Sequence, residues 1–453
     1  MDTYVLPAKV TNLMEKFEKA GAEIYIVGGA VRDLIIGREI YDWDFATNLT
    51  PEEMQKLFPK NGFYNNEFGT FRIVGKDKEV FEVTTYRSEA GYGDFRHPTT
   101  VVWGKTIEED LGRRDFTINA MALRPVSRRA QHAQGVTLVD VYGGQKDLEA
   151  KTIRAVRDAD ERFKEDALRQ IKAFRMAAQL GFLIEEKTFA AIETNKALIK
   201  NISGERIRDE MFKLLAGDHP GTALRLMKNA GVLEIVLPEI LESYGVAQKG
   251  HHIYDVWDHS IKALENCDSR DPVTRLATLL HDVAKPRVMK GEGEARTFYN
   301  HEVVGSRVAV SVGKRWRLSN QQLDQLFRLV RWHMFTTEET QTDKAVRRFI
   351  RNVTVPYIDE MIALRKADRV GSGAKETSWR WELFKERILE VQKQPFSIND
   401  LKVDGSDVME ILKIKPGKKV GEVLKALFAE VDEKPELNER EVLLEKIKKY
   451  KSG

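Results

Sequence analysis

The chain has 453 residues, which at roughly 150 residues per domain predicts about three domains. Its 73 Lys and Arg residues nearly balance its 70 Asp and Glu residues, and the formal charge of +3 excludes a histone-like polycation while leaving room for a local basic patch. A single cysteine excludes an internal disulfide, and no stretch approaches the roughly 18 apolar residues that cross a bilayer, so we expect a cytoplasmic protein without membrane contact.

The first part of the chain has the mixed pattern of an α/β domain. Val10–Gly21 has the spacing of an amphipathic helix, the β-rich run Glu23–Val27 ends at two glycines, and Ala30–Ile36 is again helical. Further strands are predicted at Tyr41–Ala46, Thr70–Val74, Glu79–Tyr86 and Thr137–Val141. The polar segment Arg87–Gly104 is predicted to be a long loop, and such loops inside compact domains are usually functional.

From about Ile153 onwards, apolar residues recur every three or four positions and predict an all-helical remainder. The clearest helices are predicted at Asp160–Leu180, Lys187–Asn195, Gly204–Ala216 and Thr222–Ala230. A helical block over Tyr254–Asp368 precedes the linker-like Gly371-Ser372-Gly373, and the Lys/Glu-rich tail from Trp379 is helical. The predicted domains are residues 1–150, 151–215, 216–375 and 376–453.

Two aspartates stand two positions apart in Asp42-Trp43-Asp44, on the predicted strand Tyr41–Ala46. Side chains alternate along a strand, so both carboxylates are expected on one face. Two carboxylates so close repel each other unless a cation lies between them, and this arrangement suits two-metal phosphoryl or nucleotidyl transfer with Mg²⁺. Glu82, on a neighbouring predicted strand, would supply a third carboxylate.

A Gly-Gly turn precedes these aspartates. Gly28 and Gly29 lie where a strand is followed by a helix, and exposed N–H groups at a helix start suit a triphosphate. Arg32, one turn into that helix, would add positive charge to the same phosphates. Either motif alone is a weak signal, because such turns and D-x-D sequences are common on protein surfaces.

A second motif strengthens the interpretation by its position in the chain: Glu109-Asp110-Leu111-Gly112-Arg113-Arg114-Asp115-Phe116-Thr117-Ile118-Asn119-Ala120. The order Gly28 to Asp44 and then Arg113 to Ala120 resembles the signature of class II tRNA nucleotidyltransferases and bacterial poly(A) polymerases. The resemblance continues through Glu165-Asp166-Ala167-Leu168-Arg169 and Leu437-Asn438-Glu439-Arg440-Glu441, so it extends along nearly the whole chain.

The resemblance implies a polymerase-beta-like α/β nucleotidyltransferase head with a mixed sheet, followed by an all-α neck, body and tail. Asp42 and Asp44 would bind Mg²⁺, and Glu82 would complete the catalytic carboxylates. Nucleotide binding would involve Gly28, Gly29, Arg32, Arg114, Asp115 and Asn119. The segment Arg87–Gly104, with Tyr92, Asp94 and Arg96, resembles the flexible loop that the family needs for the final A addition, although His97 stands where an arginine is often found.

The motif around Asp166 predicts a base-reading helix. A helix over Arg162–Leu180 would place Glu165, Arg169 and Lys172 in one narrow sector, with Asp166 and Arg175 on either side. The opposite, core-facing side would carry Phe163, Ala167, Ile171, Phe174 and Ala178.

A fixed carboxylate beside a fixed guanidinium can select bases. The carboxylate accepts from the amino group of cytosine or adenine while the guanidinium donates to the ring nitrogen, and guanine and uracil reverse this pattern. In the resembling family the residues that correspond to Asp166 and Arg169 play this role. Arg175 carries over to the nucleotide site, whereas Lys172 interrupts the usual run of arginines and loses their planar geometry.

A third group of residues predicts a second metal centre. His259, the pair His281-Asp282 and the distant Asp368 have an order similar to that of HD-family phosphohydrolases. Imidazole and carboxylate ligands suit Mn²⁺, Ni²⁺, Fe or Co²⁺. His301 and His333, which fall between the outer ligands, would hold a second metal.

Together these observations predict untemplated addition of C, C and A to the tRNA 3′ end from CTP and ATP. The enzyme alternatives are a poly(A) polymerase or a split enzyme that adds only A or only CC. An RNA-binding or signalling HD protein with an inactive head is the alternative of a different class, although intact Asp42, Asp44 and Arg114 favour activity. The HD module is either a phosphohydrolase or a structural element, and the protein is a monomer or a dimer.

Overall fold

The computed structural model describes residues 6–64, 70–75, 78–92, 98–125, 136–248, 254–338, 341–392 and 398–450. The chain forms two compact units. The first comprises Met1–Leu241 with Arg315–Arg317, and the second comprises Glu242–Lys314 with Leu318–Gly453.

The strands of the described residues lie in the first unit. They are β1 (Ile24–Val27), β2 (Asp44–Thr47), β3 (Gly62–Tyr64), β4 (Thr70–Val74), β5 (Val80–Thr85), β6 (Arg87–Tyr92), β7 (Pro98–Trp103), β8 (Ala122–Pro125), β9 (Val136–Val139), β10 (Thr152–Ile153) and β11 (Leu183–Ile184). Seven of them form one sheet in the order β3-β4-β5-β2-β1-β8-β9. The sheet is mixed, since β2 runs parallel to β5 and antiparallel to β1.

The helices of the first unit surround this sheet and continue beyond it. They are α1 (Ala8–Lys19), α2 (Gly29–Ile35), α3 (Pro51–Leu57), α4 (Ile107–Gly112), α5 (Gly144–Glu149), α6 (Ala159–Glu165), α7 (Leu168–Leu180), α8 (Glu186–Asn195), α9 (Gly204–Leu215), α10 (Pro220–Asn229), α11 (Leu233–Val236) and α12 (Pro238–Leu241). The predicted α/β head followed by helices is therefore confirmed.

The central strands explain why the sheet forms. Ile24, Ile26 and Val27 of β1 are buried, and Phe45 and Ala46 of β2 pack beside them. β-Branched and aromatic side chains suit a pleated surface that is covered by helices. The same register brings Asp44 opposite both Val27 and Glu82, so the acidic end of β2 lies at the edge where these strands end or begin.

The segment Arg87–Gly104 is not the loop that the sequence predicts. β6 and β7 form an antiparallel hairpin in which Ser88 pairs with Val102 and Ala90 with Thr100. The β-branched run Thr99-Thr100-Val101-Val102 favours a strand. The sequence of β6 contains Ser and Gly and has no clear strand pattern, so the hairpin is not evident from the sequence. Asp94, Arg96 and His97 lie outside the described residues.

The predicted helix over Asp160–Leu180, which contains the base-reading helix Arg162–Leu180, is wrong at one point, because it is broken at Asp166. Asp166 has extended backbone angles (φ −139°, ψ 102°), and it separates α6 from α7. Its carboxylate accepts from the N–H of Leu168 over 3.1 Å, a local bond with which aspartate competes against helix continuation. The core-facing side is nevertheless as predicted, since Phe163, Ala167, Ile171, Phe174 and Ala178 are all buried.

Two smaller differences concern strands. β2 begins at Asp44, so Asp42 precedes the strand that was expected to contain it. The remainder after Ile153 is not wholly helical, because β11 pairs in parallel with β10 over two residues. Pairs this short are set by tertiary contacts, which a sequence pattern does not contain.

The described part of the second unit contains helices, and none of the strands β1 to β11 lies in it. Its helices are α13 (Val256–Glu265), α14 (Pro272–Leu280), α15 (Lys285–Val288), α16 (His301–Arg315), α17 (Asn320–Trp332), α18 (Asp343–Val353), α19 (Ile358–Gly371), α20 (Trp379–Val391), α21 (Gly405–Leu412), α22 (Lys418–Glu433) and α23 (Arg440–Lys449). The predicted helical body and tail are thus confirmed.

Gly371, the first residue of the predicted linker, belongs to α19 and packs against another helix. A Cβ at Gly371 would lie 2.8 Å from the Ala263 nitrogen and 3.0 Å from its Cα. Glycine therefore permits α19 to approach α13 closely, and the helix ends only after this contact. The tail has a core of its own around Val408, Leu427 and Ile447.

A buried ion pair joins α18 to α22. Arg347 is 1% exposed and donates from Nε to Asp432 Oδ1 over 2.7 Å, and its Nη2 donates to the Asp432 carbonyl. Arg351 adds two contacts of 3.1 Å to the same carboxylate. Burial raises the pKa of Asp432, but Arg351 and Arg347 outweigh it and hold that pKa below its usual value.

We expect Arg347→Met to destabilise the protein by about 3–5 kcal/mol at pH 7, because it removes the buried partner of Asp432 and leaves only the less buried Arg351 beside this carboxylate among the described residues. The penalty should shrink as the pH falls below about 4, since the contribution of a carboxylate with a depressed pKa is lost on protonation. Urea unfolding followed by circular dichroism measures both. The exposed neighbour Arg348→Met is the matched control, and equal effects of the two substitutions would contradict the assignment.

Candidate active site and candidate metal centre

The two aspartates of the head lie at the start of β2. Asp42 and Asp44 are exposed, whereas Trp43 between them is buried, so both carboxylates share the solvent side as the alternation predicts. The surrounding protein desolvates the Asp44 carboxyl and raises its pKa; Arg114 opposes this, and Glu82 and Asp42 add to it. Crowded carboxylates with a raised pKa are a favourable environment for a cation.

Glu82 lies opposite Asp44 in the register of β2 and β5. Its carboxylate already accepts from Arg72, whose Nε lies at 2.8 Å and Nη2 at 2.7 Å from Glu82 Oε1. Arg72 is the cross-strand partner of Glu82 on β4. The third carboxylate is therefore at the expected place, but it is paired with an arginine that the sequence did not suggest.

Gly28 occupies the space between two charged groups. A Cβ at this position would lie 3.0 Å from Arg114 Nη1 and 3.7 Å from Asp44 Oδ2. Its φ of 72° is also in the left-handed region, which favours glycine. A side chain here would separate the guanidinium from the carboxylate and strain the turn into α2.

Arg114 is held in place by a fully buried carboxylate. Its Nη2 donates to Asp110 Oδ2 over 3.0 Å, while Arg113 donates to Asp110 Oδ1 from Nε at 2.9 Å and Nη2 at 2.6 Å. Burial raises the pKa of Asp110, but the two arginines outweigh it and keep that pKa below its usual value. Asp110 was not among the predicted site residues, although its spacing of three and four from the arginines on a helix is a readable signal.

A polar network connects α2 to α7 through the second motif. Arg32 forms a bidentate pair with Asp33, at 2.8 Å for each contact, and donates from Nη1 to Asn119 Oδ1 over 2.7 Å. Asn119 in turn donates to Asp115 Oδ1 over 3.3 Å, and Lys172 Nζ lies 3.7 Å from Asp115 Oδ2. The structure thus brings together four of the predicted nucleotide-binding residues, with Asp33 as an unpredicted member.

The ionisation of Asp115 depends on the same neighbours. Burial raises its pKa, but Lys172, Arg169 and Arg175 together outweigh this and hold it below the usual value. The carboxylate is therefore charged at neutral pH and orients the amide of Asn119.

The predicted pair of Asp166 and Arg169 is not a direct ion pair. Arg169 Nη1 instead donates to Glu165 Oε2 over 2.7 Å, and its Nη2 donates to the carbonyl of Arg113 over 3.0 Å. Asp166 accepts from Arg206 of α9, and Arg175 lies 3.1 Å from Glu210 of the same helix. Because α9 follows about forty residues later, no local pattern reveals Arg206 or Glu210 as partners.

The six predicted ligands of the second centre come together in the second unit. Asp282 joins two groups, one with His259 and His281 and the other with His301 and His333, and the ligand atoms of each group lie within 4.8 Å of one another. Asp282 Oδ2 lies 3.3 Å from His259 Nε2 and 3.2 Å from His281 Nε2. Its Oδ1 lies 3.2 Å from His301 Nε2 and 3.7 Å from His333 Nε2.

Asp368 reaches the first group from α19. Its Oδ1 lies 3.2 Å from His259 Nε2 and 3.5 Å from His281 Nε2, and Arg365 donates to its Oδ2 over 2.8 Å. Desolvation lowers the pKa of His281, but Asp282 and Asp368 outweigh it and raise that pKa to about 10. The carboxylates of Asp282 and Asp368 therefore favour a positive charge at the His281 imidazole.

Main-chain carbonyls orient three of the imidazoles. His281 Nδ1 lies 2.7 Å from the carbonyl of Thr278, His301 Nδ1 2.8 Å from that of Phe298, and His333 Nδ1 2.7 Å from that of Val330. A carbonyl only accepts, so Nδ1 carries the proton in each ring. In the neutral ring each Nε2 then presents its lone pair to the centre, as a metal ligand must.

The comparisons with known proteins follow the same division of the chain. Residues 24–154 match the family model described as "Poly A polymerase head domain", residues 181–243 match "Probable RNA and SrmB- binding site of polymerase A", and residues 303–447 match tRNA nucleotidyltransferase domain 2. A CCA-adding enzyme from Enterococcus faecalis is 30% identical over 455 residues, which cover 98% of each chain. The chain belongs to the CCA-adding enzyme family.

Other members of the family match in part or in structure. A CCA-adding enzyme from Pediococcus pentosaceus is 41% identical over 256 residues, and that alignment spans 56% of this chain and only 60% of the relative. The crystal structure of the Bacillus stearothermophilus CCA-adding enzyme in complex with CTP is 26% identical, with a TM-score of 0.72 and coverage of 98% and 97% of the two chains. The CCA-adding enzyme family implies a divalent cation in the head, and the exposed pair Asp42 and Asp44 fits one.

Among the described residues, no helix is both long and apolar enough to cross a bilayer.

We expect the purified protein to retain Mn²⁺, Ni²⁺, Fe or Co²⁺ after gel filtration, and Asp282→Ala to lose it, because this carboxylate serves both ligand groups. Inductively coupled plasma mass spectrometry gives the metal content per chain. Asp324→Ala, which removes an exposed carboxylate on α17, is the control. Equal metal content in both variants would contradict the assignment.

Proposed function

We propose that the chain adds C, C and A, without a nucleic-acid template, to the 3′ end of tRNA from CTP and ATP. The observation that supports this proposal is family membership along 98% of the chain, in a protein whose residues 24–154 match the Poly A polymerase head domain. The tRNA 3′-hydroxyl would attack the α-phosphate, and pyrophosphate would leave.

Asp42 and Asp44 would hold Mg²⁺, which when bound supplies positive charge to the attacking and leaving oxygens. Both carboxylates face solvent at the start of β2, where a triphosphate has access. Glu82 would set the charge beside Asp44 from the neighbouring strand, with Arg72 balancing it. Desolvation is the main cause of the raised pKa of Asp44, and the nearby Glu82 and Asp42 carboxylates add to it; this environment supports a cation between these groups.

Arg114 and Arg32 would bind the triphosphate. Arg114 is fixed through Nη2 by Asp110, so its Nη1 projects beside Gly28, towards Asp44. Its buried Nε has no hydrogen-bond partner within the described ranges, which leaves a donor for a bound group. Arg32 lies beside Gly29, with its Nη2 3.4 Å from the position of an added Cβ.

The nucleobase would be read on the α7 side of the same site. Asp166 would accept from the amino group of cytosine or adenine, and Arg169 would donate to the ring nitrogen. Glu165 would orient Arg169, while Lys172, Arg175, Asp115 and Asn119 would support the nucleotide from the polar network. With guanine or uracil, a carbonyl of the base would face the Asp166 carboxylate, and this mismatch costs a few kcal/mol.

Asp42→Ala or Asp44→Ala should reduce nucleotide addition by about three orders of magnitude or more, because preorganised charge contributes to the transition state. The fold should survive, since both side chains are exposed. Incorporation of labelled CTP and ATP into tRNA that lacks its 3′ end measures the loss.

Glu52→Ala removes an exposed carboxylate of α3 and serves as the control for these variants. If either aspartate variant kept more than about a tenth of wild-type turnover, the two-metal assignment would be wrong.

The histidine cluster supports a second function. We propose that it is an HD-type metal centre that hydrolyses phosphomonoesters or 2′,3′-cyclic phosphates. The supporting observation is the convergence of four Nε2 atoms on the two oxygens of Asp282. Lys285, whose Nζ lies 2.6 Å from Asp282 Oδ2, adds a cation beside the cluster for an anionic substrate.

His281→Ala combined with Asp282→Ala should abolish hydrolysis with Ni²⁺, Mn²⁺ and Co²⁺, while C and A addition stays within a few-fold of wild type. The head residues and the cluster belong to different compact units, and changes at independent sites are normally additive. Initial rates of both reactions on one preparation test this. A large loss of addition would instead identify the cluster as a structural element, and absence of hydrolysis in the wild type would refute the second function.

A further inference from the structure

The carboxylate that we propose reads the base is held by a residue from another helix. Arg206 of α9 donates from Nη2 to both oxygens of Asp166, over 3.1 Å to Oδ1 and 2.9 Å to Oδ2. The Asp166 side chain is 15% exposed and that of Arg206 is 22% exposed. A contact shielded to this degree is stronger than one on the open surface.

The remaining acceptor capacity of Asp166 is small and directed. A carboxylate offers about four acceptor sites, two on each oxygen. Arg206 and the N–H of Leu168 occupy both sites of Oδ1, and Arg206 occupies one of Oδ2. Within the described part of the chain, one site on Oδ2 is thus left, which is what a single amino hydrogen of a base requires.

Arg169 is fixed in a similar way from the other side. Its Nη1 donates to Glu165 Oε2 over 2.7 Å and to the carbonyl of Arg162 over 3.2 Å, and its Nη2 donates to the carbonyl of Arg113 over 3.0 Å. A guanidinium has five N–H groups, so these contacts leave two for a ligand. Glu165 and Arg206 therefore have equivalent roles: Glu165 holds Arg169, and Arg206 holds Asp166.

Helix α9 supports the site at a second point one turn later. Glu210, 8% exposed, lies 3.1 Å from Arg175 of α7. Residues four apart lie on the same face of a helix, so Arg206 and Glu210 both face α7. Two charge pairs of opposite polarity fix the position of α9 against the base-reading segment.

We propose that Arg206 is a positioning residue that determines nucleotide specificity by fixing the carboxylate of Asp166. This inference rests on the proposed addition of C and A. Asp166 lies in the non-helical break between α6 and α7, and its terminal torsion is broad when no donor holds it. Without Arg206 the N–H of Leu168 would be its remaining described donor, and the carboxylate could turn away from a guanine or uracil carbonyl.

Arg206→Met should lower the discrimination for CTP over UTP, and for ATP over GTP, by about ten-fold or more, with a smaller loss of kcat/KM for CTP and ATP. Discrimination is the ratio of kcat/KM values, measured on tRNA that lacks CCA for the first pair and on tRNA that ends in CC for the second. Arg206→Lys, which keeps the charge but loses the planar contact with both oxygens, should give an intermediate ratio.

Arg208→Met is the matched control on the same helix, because Arg208 contacts Asp209 and the carbonyl of Arg317 but not Asp166. It should alter stability without altering discrimination. In an Asp166→Ala background, Arg206→Met should cause no further loss of discrimination, because Arg206 acts through Asp166. If Arg206 had only a structural role, its effect would add to that of Asp166→Ala. If Arg206→Met does not fold, the ratio for Arg206→Lys decides.

The outcomes separate the two proposals. A wild-type protein that adds neither C nor A would contradict the proposed function itself. A selective wild type whose Arg206→Met or Arg206→Lys variant keeps its discrimination within about two-fold would overturn the role of Arg206 alone.

Discussion

The ion pairs of Asp110 with Arg113 and Arg114 are the constraint on which the head site depends. Asp110 has no exposed surface, so its charge is acceptable only while both guanidiniums remain beside it. That requirement fixes the position of Arg114 next to Gly28 and Asp44. It also fixes the main chain at Arg113, whose carbonyl accepts from Arg169. One buried carboxylate thereby aligns groups on both the proposed phosphate side and the proposed base side of the site.

The same principle recurs through the site. Several of the proposed site residues are paired with a neighbouring opposite charge: Arg32 with Asp33, Asp115 with Lys172, and Asp166 with Arg206. Such pairs contribute little net stability, because desolvation offsets attraction. Their effect is to hold side chains in one orientation, which a site that distinguishes bases by hydrogen-bond direction requires. In this proposal, specificity depends both on the residues that contact the nucleotide and on the charged residues that hold them.

Much of this arrangement could be predicted from the sequence, and the failures have physical causes. The strand that leads to Gly28, the position of Glu82 on a strand next to that of Asp44 and the grouping of the six proposed metal ligands follow from periodicity, spacing and motif order. The break at Asp166 was missed because apolar spacing continues through it, and only the carboxylate bond to the Leu168 N–H reveals the end of α6. Arg206 was missed because its contact joins residues forty apart. The shared role of Asp282 needs three-dimensional positions for both of its oxygens.

The orientation of the cluster histidines has a consequence for how this protein tolerates sequence change. His281 and His333 directly follow the last residues of α14 and α17, and His301 is the first residue of α16; each imidazole contacts the peptide carbonyl three residues earlier. A peptide carbonyl is present whatever the side chain at Thr278, Phe298 or Val330. Drift at these positions therefore leaves the ring orientation intact as long as the helix ends persist. The orientation of these three rings therefore depends on backbone conformation and not on the neighbouring side chains.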